Sequence, residues 1–258
     1  MRPEDSSTWL DSLVADAAAG QRRLAVLVDP EDAPSGKAWL NLLGHLQSSA
    51  ATDVFVGGSL VTDDSTSRVV QELKRGLSLP VVLFPGAPNQ ISGHADAMLF
   101  LSLISGRNPD LLIGRHVEAA PLLAKLPLET VPTGYMLIGD PPLTAAAYMS
   151  SSLPIPVAKP ELAVATALAG EMLGLRCLYL DAGSGAGTPI PTDTIRAIRE
   201  AVKVPLIVGG GLTCQEDLDR TWDAGATCVV VGSAVEREPA VLNAVSYTHL
   251  TLPTKCGG

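Results

Sequence analysis

Aromatic side chains are scarce in this sequence: three Phe, three Trp and four Tyr make up 4% of 258 residues, although hydrophobic residues reach 47%. A core with so few rings must be filled by Val, Leu, Ile and Ala, the composition of parallel strands buried on both faces. Basic charge is also short. Lys and Arg number 18 against 27 Asp and Glu, a formal net charge of −9, and no run of them forms a basic stripe. Little is left to neutralise a phosphate backbone, so no nucleic-acid partner is expected. Long apolar runs are missing as well. Stretches such as 97–104 fall far below the ~20 residues of a membrane-spanning helix, so the chain is not expected to span a membrane.

The four cysteines, Cys177, Cys214, Cys228 and Cys256, show neither C-x-x-C pairing nor metal-ligand spacing. Three lie in or beside apolar segments, where a free buried thiol is the ordinary reading, and this fits a reducing compartment. Residues Glu4, Asp5, Asp11 and Asp16 leave no room for an apolar signal core, so a cytoplasmic location is expected. The histidines His45, His94, His116 and His249 are scattered without ligand spacing and are read as surface or loop residues.

What the sequence does contain is a repeat. After an amphipathic helix over 6–20 come eight short apolar runs at 24–28, 53–57, 80–84, 96–101, 134–138, 177–181, 205–209 and 227–231. Most are rich in Val, Ile and Leu and are followed by a helical stretch. That alternation specifies a parallel sheet with helices outside, and eight units favour a closed (β/α)₈ barrel over an open doubly wound sheet. The third unit is irregular: eleven residues separate Phe84 from Asp96, and they include Pro85, Gly86, Pro88 and Gly93. A crossover needs about a dozen residues or more, so a loop is expected in place of the third helix. Residues 140–160 hold five prolines and are read as an elaborated loop over the barrel mouth, with a helix resuming near 161–173. Residues 1–245 are thus read as one barrel with an N-terminal helix. The tail 246–258 resembles a translated sequencing-library adaptor and is expected to be non-native.

Glycine-rich segments close strands six, seven and eight: Asp181-Ala-Gly-Ser-Gly-Ala-Gly187, Val208-Gly-Gly-Gly-Leu212 and Val231-Gly-Ser-Ala234. In such barrels the last βα-loops bind phosphate through backbone N–H groups, assisted by helix N-termini. One such loop is equally well a tight turn; three on one rim favour an anion site. The last glycine of a dinucleotide G-x-G-x-x-G is replaced by Thr188, and no Walker A or G-x-S-x-G segment is present. Across the mouth, strand one ends at Asp29 and strand two at Gly57-Gly58-Ser59. Asp29 and Ser59 offer hard oxygen donors suited to Mg²⁺; the competing reading is that Asp29 caps a turn. Lys159 is read as solvated surface.

Taken together, LAVLVDPED, DVFVGGS, FPG, ADAMLFLSLISGRNPDLLIGRHVEAAP, PTGYMLIGD, YMSSSLPIP, YLDAGSGAGTPI, VGGGL and VVVGSA resemble the geranylgeranylglyceryl phosphate synthase family, which includes bacterial heptaprenylglyceryl phosphate synthases. The likeness runs from about Leu24 to Pro239. It implies a barrel lacking its third helix and transfer of a polyprenyl (geranylgeranyl) group from its diphosphate to the 3-hydroxyl of sn-glycerol 1-phosphate. It also implies Mg²⁺ as cofactor and a homo-oligomer. Asp29 and Ser59 fall on the family's metal positions. Tyr179, Leu180, Asp181, Ala182, Gly183, Ser184 and Gly185 fall on its glycerol-phosphate segment, and Gly210, Gly211, Gly232 and Ser233 on its phosphate loops. Asp181, the implied catalytic residue, stands where the family usually carries Glu, one methylene longer. Leu27 stands where another branch carries Lys. Tyr135, Tyr148 and Leu153 are candidate walls for the prenyl chain. Two other readings remain open: a sugar-phosphate isomerase or lyase, and a non-catalytic phosphometabolite sensor.

Overall fold

The computed structural model describes residues 7–232; Ser233, the expected last helix over 234–245 and the tail 246–258 lie outside the described residues. Eight strands, β1 (Arg23–Val28), β2 (Asp53–Val56), β3 (Val81–Leu83), β4 (Ala97–Leu103), β5 (Glu129–Leu137), β6 (Cys177–Asp181), β7 (Leu206–Gly209) and β8 (Cys228–Val231), form a closed parallel barrel in chain order. Closure comes from β8 pairing back on β1, with Val26 opposite Val231. The open-sheet alternative is thereby excluded.

The period-two alternation of each strand divides its side chains between two layers. One set, including Ala25, Phe55, Val82, Leu99, Val131, Tyr179 and Ile207, fills the barrel interior. The other, including Val26, Val54, Leu178, Leu180 and Val208, packs against the surrounding helices. Cys177 and Cys228 are buried and free. Burial pushes the Cys177 thiol up to about 12, and a thiol held protonated is not a nucleophile.

Helix α1 (Trp9–Ala19) closes the N-terminal end of the barrel. It starts at a capping box between Thr8 and Asp11 and stops at Gly20, which adopts a left-handed conformation. The Glu129 carboxylate accepts from the Trp9 and Leu10 backbone N–H groups at 2.8 and 3.2 Å. The Trp9 indole N–H donates to the fully buried Asp53 at 2.6 Å, and Arg23 joins Asp53 to Asp16. With that end stoppered, the C-terminal mouth is the end where chemistry can occur.

Outside the barrel run α2 (Gly36–Ser48), α3 (Ser65–Gly76), α4 (Arg115–Leu123), α5 (Ala145–Ser150), α6 (Pro160–Met172), α7 (Thr192–Ala201) and α8 (Gln215–Asp223). As expected, β3 is followed by no α-helix, only a 3₁₀ turn at Pro88–Gln90. Among the described residues no helix is long and apolar enough to cross a membrane.

Three expectations need correction in detail. First, β5 begins at Glu129, five residues before the expected start at Gly134, and contains Pro132. The proline is tolerated because its carbonyl accepts from Arg176 N–H just before β6 begins. Its own nitrogen faces the same gap, so no ladder bond is lost. Second, His116 is buried on the inner face of α4, its ring 4.4 Å from that of Phe100 and its Nε2 3.3 Å from the Ser102 hydroxyl. A single π-turn at Asp110–Gly114 precedes α4. Third, the proline-rich segment contains α5, and its end folds back alongside β5 through hydrogen bonds from Ile155 N–H to Leu137 O and from Gly139 N–H to Ile155 O.

Candidate active site at the barrel mouth

Asp181 ends β6, between Leu137 of β5 and Gly209 of β7. Alternation turns Tyr179 and Asp181 inward and Leu180 outward. Within the expected ligand segment, the Leu180 side chain belongs to the outer layer and packs with the helices, so only its backbone faces the mouth's rim. Tyr179 lies one layer below Asp181 and stacks on Phe84, ring centroids 4.6 Å apart and planes 10° apart. Tyr135 meets both rings edge-on.

Both oxygens of Asp181 are engaged. The Tyr135 hydroxyl donates to Oδ2 at 2.6 Å, and Gly183 N–H donates to Oδ1 at 2.7 Å. Burial raises the Asp181 pKa, and the two hydrogen bonds oppose the rise without cancelling it. Burial and the Asp181 charge together push the Tyr135 hydroxyl well above its ordinary range, so it stays a donor. Each carboxylate oxygen keeps a second lone pair, which leaves Asp181 able to accept one further hydroxyl. Tyr135, a candidate wall of the apolar groove, packs its ring against Leu103, Leu137 and Ala147 while its hydroxyl holds the carboxylate; Tyr148 and Leu153 are exposed.

The glycine-rich rims of β6 and β7 touch through backbone. Gly210 sits at φ 86°, and a Cβ there would come within 2.8 Å of both Ala182 N and Asp181 Oδ1. No side chain fits that position, and the φ itself is costly for any other residue. Gly211 meets Thr188 in the same way, and Gly183 meets Thr144 at the N-terminus of α5. The proline-rich segment therefore reaches over the mouth, as expected. Ala182 N–H is bonded to Gly209 O, whereas Ser184 and Gly185 lie exposed at the loop tip. Gly232 follows β8 against Leu27.

On the opposite rim Asp29 follows β1. Its Oδ1 accepts from Glu31 N–H at 3.0 Å, the turn-capping bond of the competing reading. Its Oδ2 lies so close to Gly58 that any Cβ there would collide with it. Burial raises the Asp29 pKa, the Glu31 N–H opposes this, and the charges of Asp32 and Glu31 add to the rise. A carboxylate under that load gains from a cation. Ser59, the next residue on the loop, is half-buried. Among the described residues no group of three or more His, Cys, Asp or Glu could cage a metal. Asp29 and Ser59 are hard oxygen donors at an open rim, and such a set fits a Mg²⁺ ion, which commonly keeps one or two protein ligands.

Between the two rims, Leu103, Leu137 and Ala147 form a small apolar cluster with Leu111, Tyr135 and Ala146. Lys159 is exposed and lies 3.7 Å from Glu161, as expected of a surface residue.

Residues 20–249 match the PcrB family. The chain is 50% identical over 224 residues to geranylgeranylglyceryl phosphate synthase of Spirosoma linguale, covering 87% of this chain and 90% of that protein. It is 42% identical over 245 residues to the synthase of the same name in Chitinophaga pinensis, covering 94% and 96%. Among solved structures, (S)-3-O-geranylgeranylglyceryl phosphate synthase from Thermoplasma acidophilum, in complex with its substrate sn-glycerol-1-phosphate, superposes with a TM-score of 0.86 at 27% identity, covering 93% of this chain and 96% of that one. With a match across most of its length and relatives this similar, the chain belongs to the PcrB family.

Proposed function

We propose that this chain, an enzyme of the geranylgeranylglyceryl phosphate synthase kind, transfers a prenyl group from a polyprenyl diphosphate to the 3-hydroxyl of sn-glycerol 1-phosphate. The observation that carries the reading is the two-sided mouth. A buried carboxylate faces glycine-lined loops on one rim, and a cation-seeking carboxylate lies on the other.

The β6 and β7 loops, with Gly210 and Gly211, present backbone suited to the acceptor's phosphate. Asp181 then orients the acceptor hydroxyl and takes its proton as the new C–O bond forms. Burial raises its pKa, which makes it a stronger base than an ordinary Asp carboxylate. Asp29 and Ser59 would hold Mg²⁺, which supplies neutralisation of the departing diphosphate. The rims orient donor and acceptor so that the hydroxyl meets the allylic carbon. The apolar chain needs burial worth about 0.8 kcal/mol per methylene, and Leu103, Leu137 and Ala147 lie where its first units would pass. Self-association, which family membership suggests, is part of the same proposal.

An isomerase or lyase would want a Lys, His or Glu acid–base at the strand ends. The mouth instead offers Asp29 and Asp181, and the buried His116 lies against Ser102 and Phe100 in the helix layer. The deciding experiment is prenyl transfer from a ladder of prenyl diphosphates to labelled sn-glycerol 1-phosphate, with Mg²⁺ and with EDTA. Lipid-soluble product made only with metal supports the proposal and reads off the chain length. Acceptor binding without product from any donor would favour the sensor instead.

A further inference from the structure

The 3₁₀ turn that stands in place of the third helix carries a side chain used by nothing discussed so far. Gln90 is 1% exposed, and its amide is spent on backbone at the mouth. Oε1 accepts from Gly58 N–H and from Gly86 N–H, both at 3.2 Å, and Nε2 donates to Gly58 O at 2.8 Å. Gly58 therefore has both its peptide groups held by one amide. The neighbouring Asn89 donates from Nδ2 to Val61 O at 2.9 Å. The two side chains grip the β2 loop on either side of Ser59.

The rest of the surroundings tighten the same loop. A Cβ on Gly86 would lie 2.5 Å from Gly58 O, so the loops after β2 and β3 pack backbone to backbone. On the β1 side, Glu31 accepts from the Thr62 hydroxyl at 2.7 Å and from its backbone N–H. Gly58 itself presses on Asp29. A full crossover helix after β3 would start where the turn now bends inward, and it would carry these side chains away from the mouth.

We propose that Asn89 and Gln90 are positioning residues for the diphosphate end of the site. They hold the 58–61 loop so that Ser59 and Asp29 face one ligand together. The loss of the third helix is then what allows the turn to reach in. The proposal rests on the prenyltransferase reading above, because it supposes a diphosphate with Mg²⁺ at this rim.

The test is calorimetric binding of inorganic pyrophosphate with Mg²⁺, and separately of sn-glycerol 1-phosphate, to the full chain and to Gln90→Met and Asn89→Ala. Methionine keeps the length and burial of Gln90 but leaves two N–H groups unanswered. At about 1 kcal/mol per bond, the one bond lost in Asn89→Ala corresponds to up to about fivefold weaker pyrophosphate affinity, and the three lost in Gln90→Met to up to about a hundredfold. Glycerol phosphate affinity should stay unchanged in both, since its loops lie across the barrel. The KM for prenyl diphosphate should rise in step while that for the acceptor holds. Equal weakening of both ligands would show a merely structural role and overturn the proposal; so would unchanged pyrophosphate binding in folded variants. Should Gln90→Met fail to fold, the exposed Asn89→Ala carries the test alone. A wild-type chain that binds no pyrophosphate would bring down the prenyltransferase reading itself, and this inference with it.

Discussion

The Tyr135 hydroxyl lies 2.6 Å from Asp181 Oδ2 and donates its proton to it. Strands β5 and β6 are in register here, with Tyr135 opposite Tyr179 and Leu137 opposite Asp181. The phenol thus reaches up one layer to the neighbouring strand's last residue. The carboxylate that the reaction would use is held from below by the Tyr135 hydroxyl, whose ring packs edge-on against Tyr179, and from its own loop by Gly183.

Removing that phenol should move the pH profile. The bond favours the charged carboxylate, so Tyr135→Phe raises the Asp181 pKa above its already elevated position. A hydrogen bond to a charged group is worth about 1.5–3 kcal/mol, or roughly one to two pH units. The acidic limb of kcat/KM should shift to higher pH by that amount, and turnover below the limb should fall. A profile superimposable on the wild type would mean that Asp181 does not ionise in the reaction.

Asp181→Asn removes the proton acceptor while preserving shape. Loss of a positioned base typically costs about 10²–10⁴ in rate, so kcat should fall by that factor while glycerol phosphate still binds. Asp181→Glu lengthens the side chain by one methylene, to the residue that the family resemblance implies here, and retained activity would show that the shorter carboxylate fills the same role. If Asp181→Asn leaves turnover and acceptor affinity intact, the assignment is wrong.

Gly58→Ala places a methyl against Asp29 Oδ2. The loop or the carboxylate must move, so half-saturation by Mg²⁺ should rise about tenfold while the folding transition shifts little. That is measured by titrating activity and pyrophosphate binding against Mg²⁺. Gly210→Ala differs in kind: its φ of 86° and its contact with Asp181 both resist a side chain. It should lose about 1–3 kcal/mol of stability in a denaturant titration.

The opposite end of the barrel should affect stability and spare the chemistry. Trp9→Phe keeps the ring packed on Phe55, 6.1 Å away, but takes the indole N–H from the buried Asp53. A cost of about 1.5–3 kcal/mol is expected for a hydrogen bond to a buried charge. Steady-state constants at a temperature where the variant is folded should match the wild type; a changed kcat would show coupling through the barrel.

Much of the fold was legible because its signals are local. Apolar runs bounded by turn residues marked every strand, and Pro85, Gly86 and Pro88 marked the missing helix. The miss at β5 has a local cause too: Pro132 reads as a breaker, and only the late start of β6 makes it harmless. His116 is buried by its contacts with Phe100 and Ser102 of β4, which no pattern along the chain shows.

By itself the sequence determined the parallel barrel, through its eight alternating units, and the family, through its motifs, and it put Asp29 and Asp181 at strand ends. Only the tertiary structure decided the partners. That Tyr135 holds Asp181, that Leu180 turns away, and that Gln90 grips Gly58 across 32 positions depend on strand register and on loops from different units meeting at one mouth. Hydrogen bonds of this kind are set by where backbone groups end up in space, and no periodicity along the chain encodes them.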